Sequence, residues 1–197
     1  MAVLGKGYVG IVVIGHLNGQ KIAVKIRRID SGRVDLFHEA QMLSKANSVN
    51  VGPTLIGASK NFLLMQLING DLLTSWLTVH REKGLVKRVL SEVLEQCYRL
   101  DELGLDHGEI SKATKHVIID QNQKPFLVDF ETASVERRVA NVSAMCQFFF
   151  TGSSAVRQLL VETLGERSRL DVIGVLRKYK KSISSEDFDD VLRVCFS

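Results

Sequence analysis

Several features that mark special classes of protein are missing from this sequence of 197 residues. No apolar run approaches the roughly 20 residues that a membrane-spanning helix needs. The N-terminus lacks the charged, apolar and small-residue regions of a secretory signal peptide. The three cysteines, Cys97, Cys146 and Cys195, are widely separated and form no C-x-x-C pair, which argues against a disulfide framework or a zinc site. We therefore expect a protein without a membrane partner, located in the reducing cytoplasm.

What is present is the composition of a globular protein, with 45% hydrophobic and 24% charged residues. The net charge of +4, from 26 basic and 22 acidic residues, favours an anionic partner such as a nucleotide or an acidic protein without requiring one. The basic pairs Arg27-Arg28, Arg137-Arg138 and Lys180-Lys181 are scattered along the chain. The sequence therefore does not indicate nucleic-acid binding.

The pattern of apolar residues changes along the chain and predicts an α+β fold in two parts. Residues 1–68 alternate between short β-type runs and one helix, predicted over Val34 to Asn47, and form a small antiparallel sheet part. Residues 69–197 are mainly helical. They begin with a helix capped by Asp71, include a long helix that stops at Gly104 and a hairpin built from "HVIID" and "PFLVDF", and end with helical patterns over 140–151, 154–164, 168–179 and 185–196.

The stretch "LGKGYVGIVV" places three glycines in a G-x-G-x-x-G frame near the start of the chain. A dinucleotide-binding fold would open a helix at the third glycine. Here two β-branched runs follow instead, around an Asn18-Gly19 turn, which is a strong hairpin signal. The second run ends in "IAVK", so Lys25 closes a strand next to the glycine loop. This order indicates a loop that covers phosphates, with a cation beneath it.

A second group of motifs lies between Leu105 and Ser134. His107-Gly108-Glu109 precedes the predicted hairpin, and Asp129-Phe130-Glu131 follows it. The chain thus carries, in this order, a glycine loop, a strand lysine, a helix glutamate and two acidic motifs that flank a hairpin. This ordered set resembles the protein-kinase-like superfamily. Within it the chain resembles the small atypical branch, which contains RIO-type kinases, the kinase of the KEOPS tRNA-modification complex and compact predicted Ser/Thr kinases of archaea. The last group is the most similar, through "DHGEISKATKHVI", "VDFETAS" and "RRVANVSAMCQFFF".

The resemblance implies a bilobal kinase fold, with an N-lobe over 1–68 and a reduced C-lobe over 69–197. It implies that the protein uses ATP and Mg²⁺ to phosphorylate a Ser or Thr hydroxyl on a protein substrate, with the protein itself as one candidate acceptor. Lys25 would anchor the phosphates, Glu39 would hold Lys25 in place, and Asp129 would bind Mg²⁺. The other residues expected to contact ATP are Gly5, Lys6, Gly7, Tyr8, Val9, Gly10, Val12, Ala23, Met65, Gln66, Leu67 and Ile68.

The catalytic loop departs from the usual kinase pattern at two positions. Glu109 stands where an aspartate would accept or orient the proton of the substrate hydroxyl, and it is one methylene longer. The asparagine that binds a second metal ion is replaced by Thr114 or, if two residues are inserted, by His116. We favour His116, because the hairpin strand then starts in the correct place. Histidine is a poor Mg²⁺ ligand, so His116 contacts either the metal site or a phosphate, or it has a structural role.

Other departures concern the segment after Asp129. Only 68 residues follow it, no A-P-E motif appears among them, and Glu131 replaces the mobile glycine of D-F-G. We therefore expect an enzyme that stays in one state and is regulated by a protein partner. The alternatives are a pseudokinase, which would bind nucleotide as a regulatory module, and a small-molecule kinase similar to aminoglycoside phosphotransferases. The short chain counts against the second of these.

Overall fold

The computed structural model describes residues 3–110 and 114–197, and within these ranges the protein is α+β with seven α-helices. One sheet has five antiparallel strands, β1 (Val3–Lys6), β2 (Gly10–Leu17), β3 (Gln20–Arg27), β4 (Leu55–Ala58) and β5 (Phe62–Gln66). Their order in the sheet is β1-β2-β3-β5-β4.

The hairpin of β2 and β3 confirms the predicted turn. Its eight residue pairs run without a break from Gly10↔Arg27 to Leu17↔Gln20. Asn18 and Gly19 both have positive φ angles, of 50° and 80°, as a two-residue hairpin turn requires. The local sequence was sufficient here because the turn residues and the apolar alternation favour the same register.

Helix α1 (Phe37–Ser48) begins three residues later than predicted. Leu36, at its N-cap, is buried against the sheet, and its backbone N–H donates to the carbonyl oxygen of Lys60 at 3.2 Å. This contact with the β4–β5 turn holds the chain outside the helix until Phe37. A local periodicity cannot indicate such a contact.

A second sheet contains three short antiparallel strands, β6 (Gly70–Leu72), β7 (Val117–Asp120) and β8 (Pro125–Leu127). The hairpin of β7 and β8 was predicted, but the pairing of β6 with β7 was not. Asp71 pairs with Ile119 inside this sheet, so the prediction that Asp71 caps a helix was wrong. Helix α2 (Leu73–Val79) instead has Leu72 at its N-cap, without a side-chain hydrogen bond.

The remaining helices agree closely with the predicted patterns. The long helix α3 (Lys83–Glu102) is followed by Gly104, whose φ is +74°. After the second sheet come α4 (Asn141–Cys146), which continues into a π-helical turn (Gln147–Thr151), then α5 (Ala155–Leu164), α6 (Arg169–Ser182) and α7 (Ser185–Phe196). Within residues 3–110 and 114–197, no helix is both long and apolar enough to cross a bilayer.

Two hydrophobic clusters hold these elements together. A small cluster of Val9, Leu36, Ala40 and Leu63 lies between the five-stranded sheet and α1. The main core fills the helical part and also includes Met42, Leu43 and Ala46 of α1. Helix α1 therefore packs on both sides of the predicted boundary at residue 68. All three cysteines are buried free thiols.

Candidate functional site

The site is built on one face of the five-stranded sheet. Val12 pairs with Lys25, and Ala23 pairs with Met65. Because residues two apart in a strand share a face and directly paired residues point to the same side, these four predicted nucleotide-binding side chains lie on a common face. The sheet register thus brings together side chains from β2, β3 and β5 at the predicted ATP site.

Lys25 and Glu39 form a buried ion pair across this face. The Lys25 Nζ atom lies 2.9 Å from Oε1 and 2.7 Å from Oε2 of Glu39, and each residue is only 5% exposed. Glu39 stands in the first turn of α1, so the pair joins that helix to the centre of the sheet. A buried pair of this kind needs further hydrogen-bonding partners to offset its desolvation.

Two more carboxylates complete the surroundings of Lys25. Its Nζ lies 3.2 Å from Oδ1 of Asp129 and 3.0 Å from Oε2 of Glu131. Burial alone would lower the pKa of Lys25, but Glu39 and Asp129 outweigh that effect and raise it above its usual range. The site therefore holds a firmly charged ammonium group among three carboxylates.

The crowding of negative charge shifts the pKa values of the carboxylates. Burial raises the pKa of Glu39 to about 7 despite the opposing contact with Lys25, and Asp129 and Glu131 add to the rise. For Asp129, burial favours the neutral form, but the nearby Lys25 ammonium holds its pKa below the usual range. Three carboxylates thus compete for one cation, and a divalent cation would relieve the excess charge.

Asp129 has an unusual backbone conformation, with φ of +72°. A non-glycine residue with positive φ is uncommon, although aspartate tolerates it better than most residues. Such strain is often found at functional sites. The side chain of Asp129 lies 3.2 Å from Nζ of Lys25 and 3.9 Å from Nδ1 of His116.

A second group of ligand-type atoms shares Asp129. The Nε2 atom of His116 lies 3.4 Å from Oε2 of Glu109, and its Nδ1 atom lies 3.9 Å from Oδ2 of Asp129. Two triads, Glu109–His116–Asp129 and Glu39–Asp129–Glu131, each have ligand atoms within 4.8 Å of one another. The structure thus places His116, the preferred of the two alternatives, between the predicted base and the predicted metal ligand. Residues 111–113 of the same segment lie outside the described residues.

The glycine loop lies at the edge of this face. The loop follows Gly5 and Lys6 of β1, and its Gly7 N–H donates to the Gly10 carbonyl oxygen at 2.8 Å. A Cβ atom on Gly10 would lie 2.9 Å from both Cγ of Lys25 and the Ile26 carbonyl oxygen, so the third glycine lets the loop approach the lysine stem. Tyr8 is 75% exposed at the tip.

Val9 differs from its neighbours in the loop. Its side chain is buried in the small cluster with Leu36, Ala40 and Leu63. Of the predicted loop contacts, Val9 therefore has only its backbone to offer a ligand. Its carbonyl oxygen already accepts a hydrogen bond from the Arg28 N–H at 2.7 Å.

The segment from Met65 to Ile68 connects the five-stranded sheet to β6. Met65 is half-buried and packs against both hydrophobic clusters. The side chain of Gln66 turns toward β4, where its Oε1 accepts hydrogen bonds from N and Oγ1 of Thr54 at 3.2 Å each. Gln66, Leu67 and Ile68 also line a cleft of about 180 Å³ with Asp120, Gln121 and Asn122.

His107 is buried behind Asp129, against the neighbouring residues Val128 and Phe130. Its Nε2 atom lies 3.2 Å from the Val128 carbonyl oxygen, and its ring centroid lies 4.9 Å from that of Phe130. Burial, followed by the nearby His116, lowers the pKa of His107 to about 4. His107 is therefore a neutral, buried side chain that joins the two acidic motifs.

Gly108 follows with φ of +87°, and no other residue type fits its place. A Cβ atom there would lie 2.4 Å from Nη2 of Arg137 and 2.8 Å from Oγ1 of Thr132. Arg137 in turn binds Oδ2 of Asp106 at 2.9 Å and the Thr132 carbonyl oxygen at 2.6 Å. Through this ion pair and hydrogen bond, the arginine connects the loop before Glu109 to the segment after Asp129.

A buried polar network that the sequence does not predict lies behind this loop. Asp101, on α3, accepts hydrogen bonds from N and Nδ2 of Asn141 at 2.9 and 2.8 Å, and from the Tyr179 hydroxyl at 2.9 Å. Asn141 accepts one from the His107 N–H at 2.9 Å. Burial raises the pKa of Asp101, against the opposing effect of these donors. The only sequence signal was a polar residue at a core position of each helix.

Two further contacts join residues that are distant in the sequence. The sequence predicts only that Glu131 stiffens the backbone, but its carboxylate also binds Lys25. His38, beside Glu39, has its Nε2 atom 2.9 Å from the Ala133 carbonyl oxygen, which joins α1 to the segment after Asp129. Both contacts connect residues about 100 positions apart, which no local pattern reports.

Comparison with known proteins adds little to this geometry. No protein-family model matches the chain. The chain is similar to an uncharacterized protein of Methanocaldococcus jannaschii, with 26% identity over 117 residues, or 59% of this chain and 96% of that protein. This distant similarity assigns neither a family nor an activity.

Proposed function

We propose that the protein is an atypical ATP-dependent serine/threonine protein kinase with a bilobal, kinase-like fold. In this proposal, the five-stranded sheet and α1 form the N-lobe over 1–68, and residues 69–197 form a reduced C-lobe. ATP would lie on the shared sheet face beneath the glycine loop. Mg²⁺ would be held by Asp129, and a hydroxyl on a protein substrate would accept the phosphoryl group.

One observation carries the proposal. Lys25, Glu39 and Asp129 come from a strand, a helix and the segment after β8, and Asp129 is 104 positions from Lys25. Both carboxylates nevertheless lie within hydrogen-bonding distance of Lys25 Nζ, on the face that also carries Val12, Ala23 and Met65. A structural ion pair needs neither a second carboxylate at positive φ nor an adjacent apolar face that could accept a base.

The chemistry would be divided among these residues. Phosphoryl transfer depends mainly on positioning and on neutralising the charge of the phosphates. Lys25, held by Glu39, would bind phosphate oxygens, and the cation at Asp129 would supply Lewis-acid neutralisation of the phosphate charge. Glu109 would orient the acceptor hydroxyl or take its proton, and His116 would fix the carboxylate of Glu109 from 3.4 Å.

The same contact favours a second candidate. If His116 keeps Glu109 engaged, the carboxylate is less able to act on a substrate hydroxyl, and the protein would be a nucleotide-binding regulatory module. The two candidates share the ATP site and differ only in phosphoryl transfer. A regulatory protein partner would serve either one.

A transfer assay with radiolabelled ATP and Mg²⁺ tests the proposal. Wild-type protein should label itself or a generic acceptor protein, and Lys25→Ala and Asp129→Ala should each lower the rate by about 100-fold or more, since each removes charge stabilisation from the transferred group. Lys21→Ala is the matched control, because Lys21 is an exposed lysine on the same strand. It should keep the wild-type rate.

Three outcomes separate the candidates. Label lost in both site variants but kept in the control supports the kinase. ATP binding without transfer, across several divalent metals and acceptor proteins, supports the regulatory module. Absence of ATP binding to the folded wild-type protein would refute both.

A further inference from the structure

Glu131 occupies a place in the site that its position in the motif does not require. It follows Asp129-Phe130, and its Oε2 atom lies 3.0 Å from Nζ of Lys25. An ammonium group has three N–H donors. Glu39, Asp129 and Glu131 each contact it, so all of its donors face carboxylates in this conformation.

This arrangement leaves an excess of negative charge where the phosphates of a nucleotide would lie. One ammonium group faces three carboxylates within 3.2 Å. A nucleoside triphosphate without a metal ion would bring several more negative charges to the same face. Like charges at a few ångströms in a partly buried site repel strongly. Phosphates therefore have to displace a carboxylate from Lys25 or arrive already neutralised.

Among the three carboxylates, Glu131 is the one that can be released. Glu39 is buried at 5% exposure and holds Lys25 to α1. Asp129 is the predicted metal ligand. The side chain of Glu131 is 21% exposed, less than the 38% of Asp129, but it takes no part in the Lys25–Glu39 pair and is not the predicted metal ligand. Its charge can therefore tune the site without dismantling it.

We propose that Glu131 is a specificity-determining residue that makes the site select a nucleoside triphosphate carried with a divalent cation over the free nucleotide. The inference rests on the proposed ATP site. The carboxylate of Glu131 is bound to the Lys25 ammonium group and repels phosphates until a cation balances their charge. Removing its charge, while keeping its shape, should therefore help the free nucleotide far more than the complexed one.

Isothermal titration calorimetry on the full chain tests this inference. ATP is titrated in excess EDTA and in excess Mg²⁺ into wild type, Glu131→Gln and Glu136→Gln. Glu136 is the matched control, since it is an exposed glutamate five positions later. Glu131→Gln should bind metal-free ATP about tenfold more tightly, as expected for removing one nearby like charge, and Mg²⁺-complexed ATP within about twofold of wild type. Glu136→Gln should match wild type in both.

The other outcomes overturn the inference in distinguishable ways. Equal weakening of both nucleotide forms would mean that Glu131 only positions Lys25. Selective loss of Mg²⁺-complexed ATP would mean that Glu131 is a metal ligand. Unchanged affinities would mean that its charge is irrelevant. If folded wild type, checked by circular dichroism, binds ATP in neither buffer, the proposed function fails and this inference fails with it.

Discussion

At the scale of single residues, His107 is the side chain whose surroundings most clearly set its chemistry. It is fully buried and contacts the Val128 carbonyl oxygen, and its ring lies against Phe130. Protonation would place a charge in this buried position, and the desolvation cost outweighs the attraction of Asp129 and Asp106. The native state therefore binds a proton at His107 more weakly than the unfolded chain does, in which its pKa is 6.5.

The first prediction concerns stability in acid. Because the folded pKa of His107 is lowered to about 4, its contribution to stability is complete above pH 6.5 and is lost as the pH falls from 6.5 toward 4. The free energy of unfolding should fall by up to about 3 kcal/mol from this group over that range. Urea unfolding at a series of pH values measures it.

Two variants isolate this effect. His107→Gln should be less stable at pH 7, since it loses ring packing, but its stability should depend less on pH between 6.5 and 4. His16→Gln removes an exposed histidine on β2 and should keep the wild-type pH dependence. A His107→Gln curve with the wild-type slope would contradict the prediction.

Single residues also differ in whether the sequence alone reveals their place in the site. Lys25 and Asp129 each belong to a short motif that predicts a role, and Glu39 is predicted from its place on the helix that follows Lys25. Glu131 does not, because its contact with Lys25 spans 106 positions. Asp101 and Asn141 could not be recognised for the same reason, because a buried polar residue shows its role only when its hydrogen-bonding partner is known.

At the scale of elements, the buried network around Asp101 joins three helices to the loop that carries Glu109. Asp101 lies on α3, Asn141 begins α4 and Tyr179 lies near the end of α6. Hydrogen bonds to a buried carboxylate are stronger than neutral ones, and leaving one unmade is costly. The network therefore determines how the helices support the loop before Glu109.

The second prediction tests this network. Tyr179→Phe removes the hydroxyl that donates to Asp101 at 2.9 Å and should lower the free energy of unfolding by about 1 to 2 kcal/mol. Tyr98→Phe is a matched control, since the Tyr98 hydroxyl donates to Glu102 at the surface of α3. It should cost less than about 0.5 kcal/mol. Urea unfolding measures both variants. Equal decreases in the free energy of unfolding would contradict a special role for the network.

At the scale of the whole molecule, the site joins the sheet to the helical part. Lys25 belongs to the sheet, Glu39 to a helix that contributes to both hydrophobic clusters, and Asp129 to the segment after β8. A ligand that binds these residues together contacts the folded arrangement and not the unfolded chain. Binding should therefore stabilise the molecule as a unit.

The third prediction follows from that linkage. At about 100 times its dissociation constant, Mg²⁺-complexed ATP should add about 2.7 kcal/mol to the stability and raise the melting temperature by roughly 5 to 10 °C. Asp129→Asn should lose most of this shift, and Lys21→Ala should keep it. Differential scanning calorimetry measures all three proteins, and an equal shift in Asp129→Asn would exclude Asp129 from the binding site.

Much of this architecture can be read from local patterns, because turns, strands and helices depend on neighbouring residues. The Asn18-Gly19 hairpin, the long helix α3 and the four C-terminal helices needed only turn chemistry and apolar periodicity. The start of α1 and the pairing of β6 with β7 needed distant partners, namely Lys60 for Leu36 and Ile119 for Asp71.

The candidate site divides in the same way. Motif order predicts chemical roles for Lys25, Glu39, Glu109 and Asp129, because each stands at a characteristic place on its own element. How many carboxylates surround Lys25, and which buried side chains hold the loop before Glu109, depend on where strands and helices cross in space. Electrostatic and hydrogen-bond energies fall off over a few ångströms, so those properties emerge only when the chain has folded.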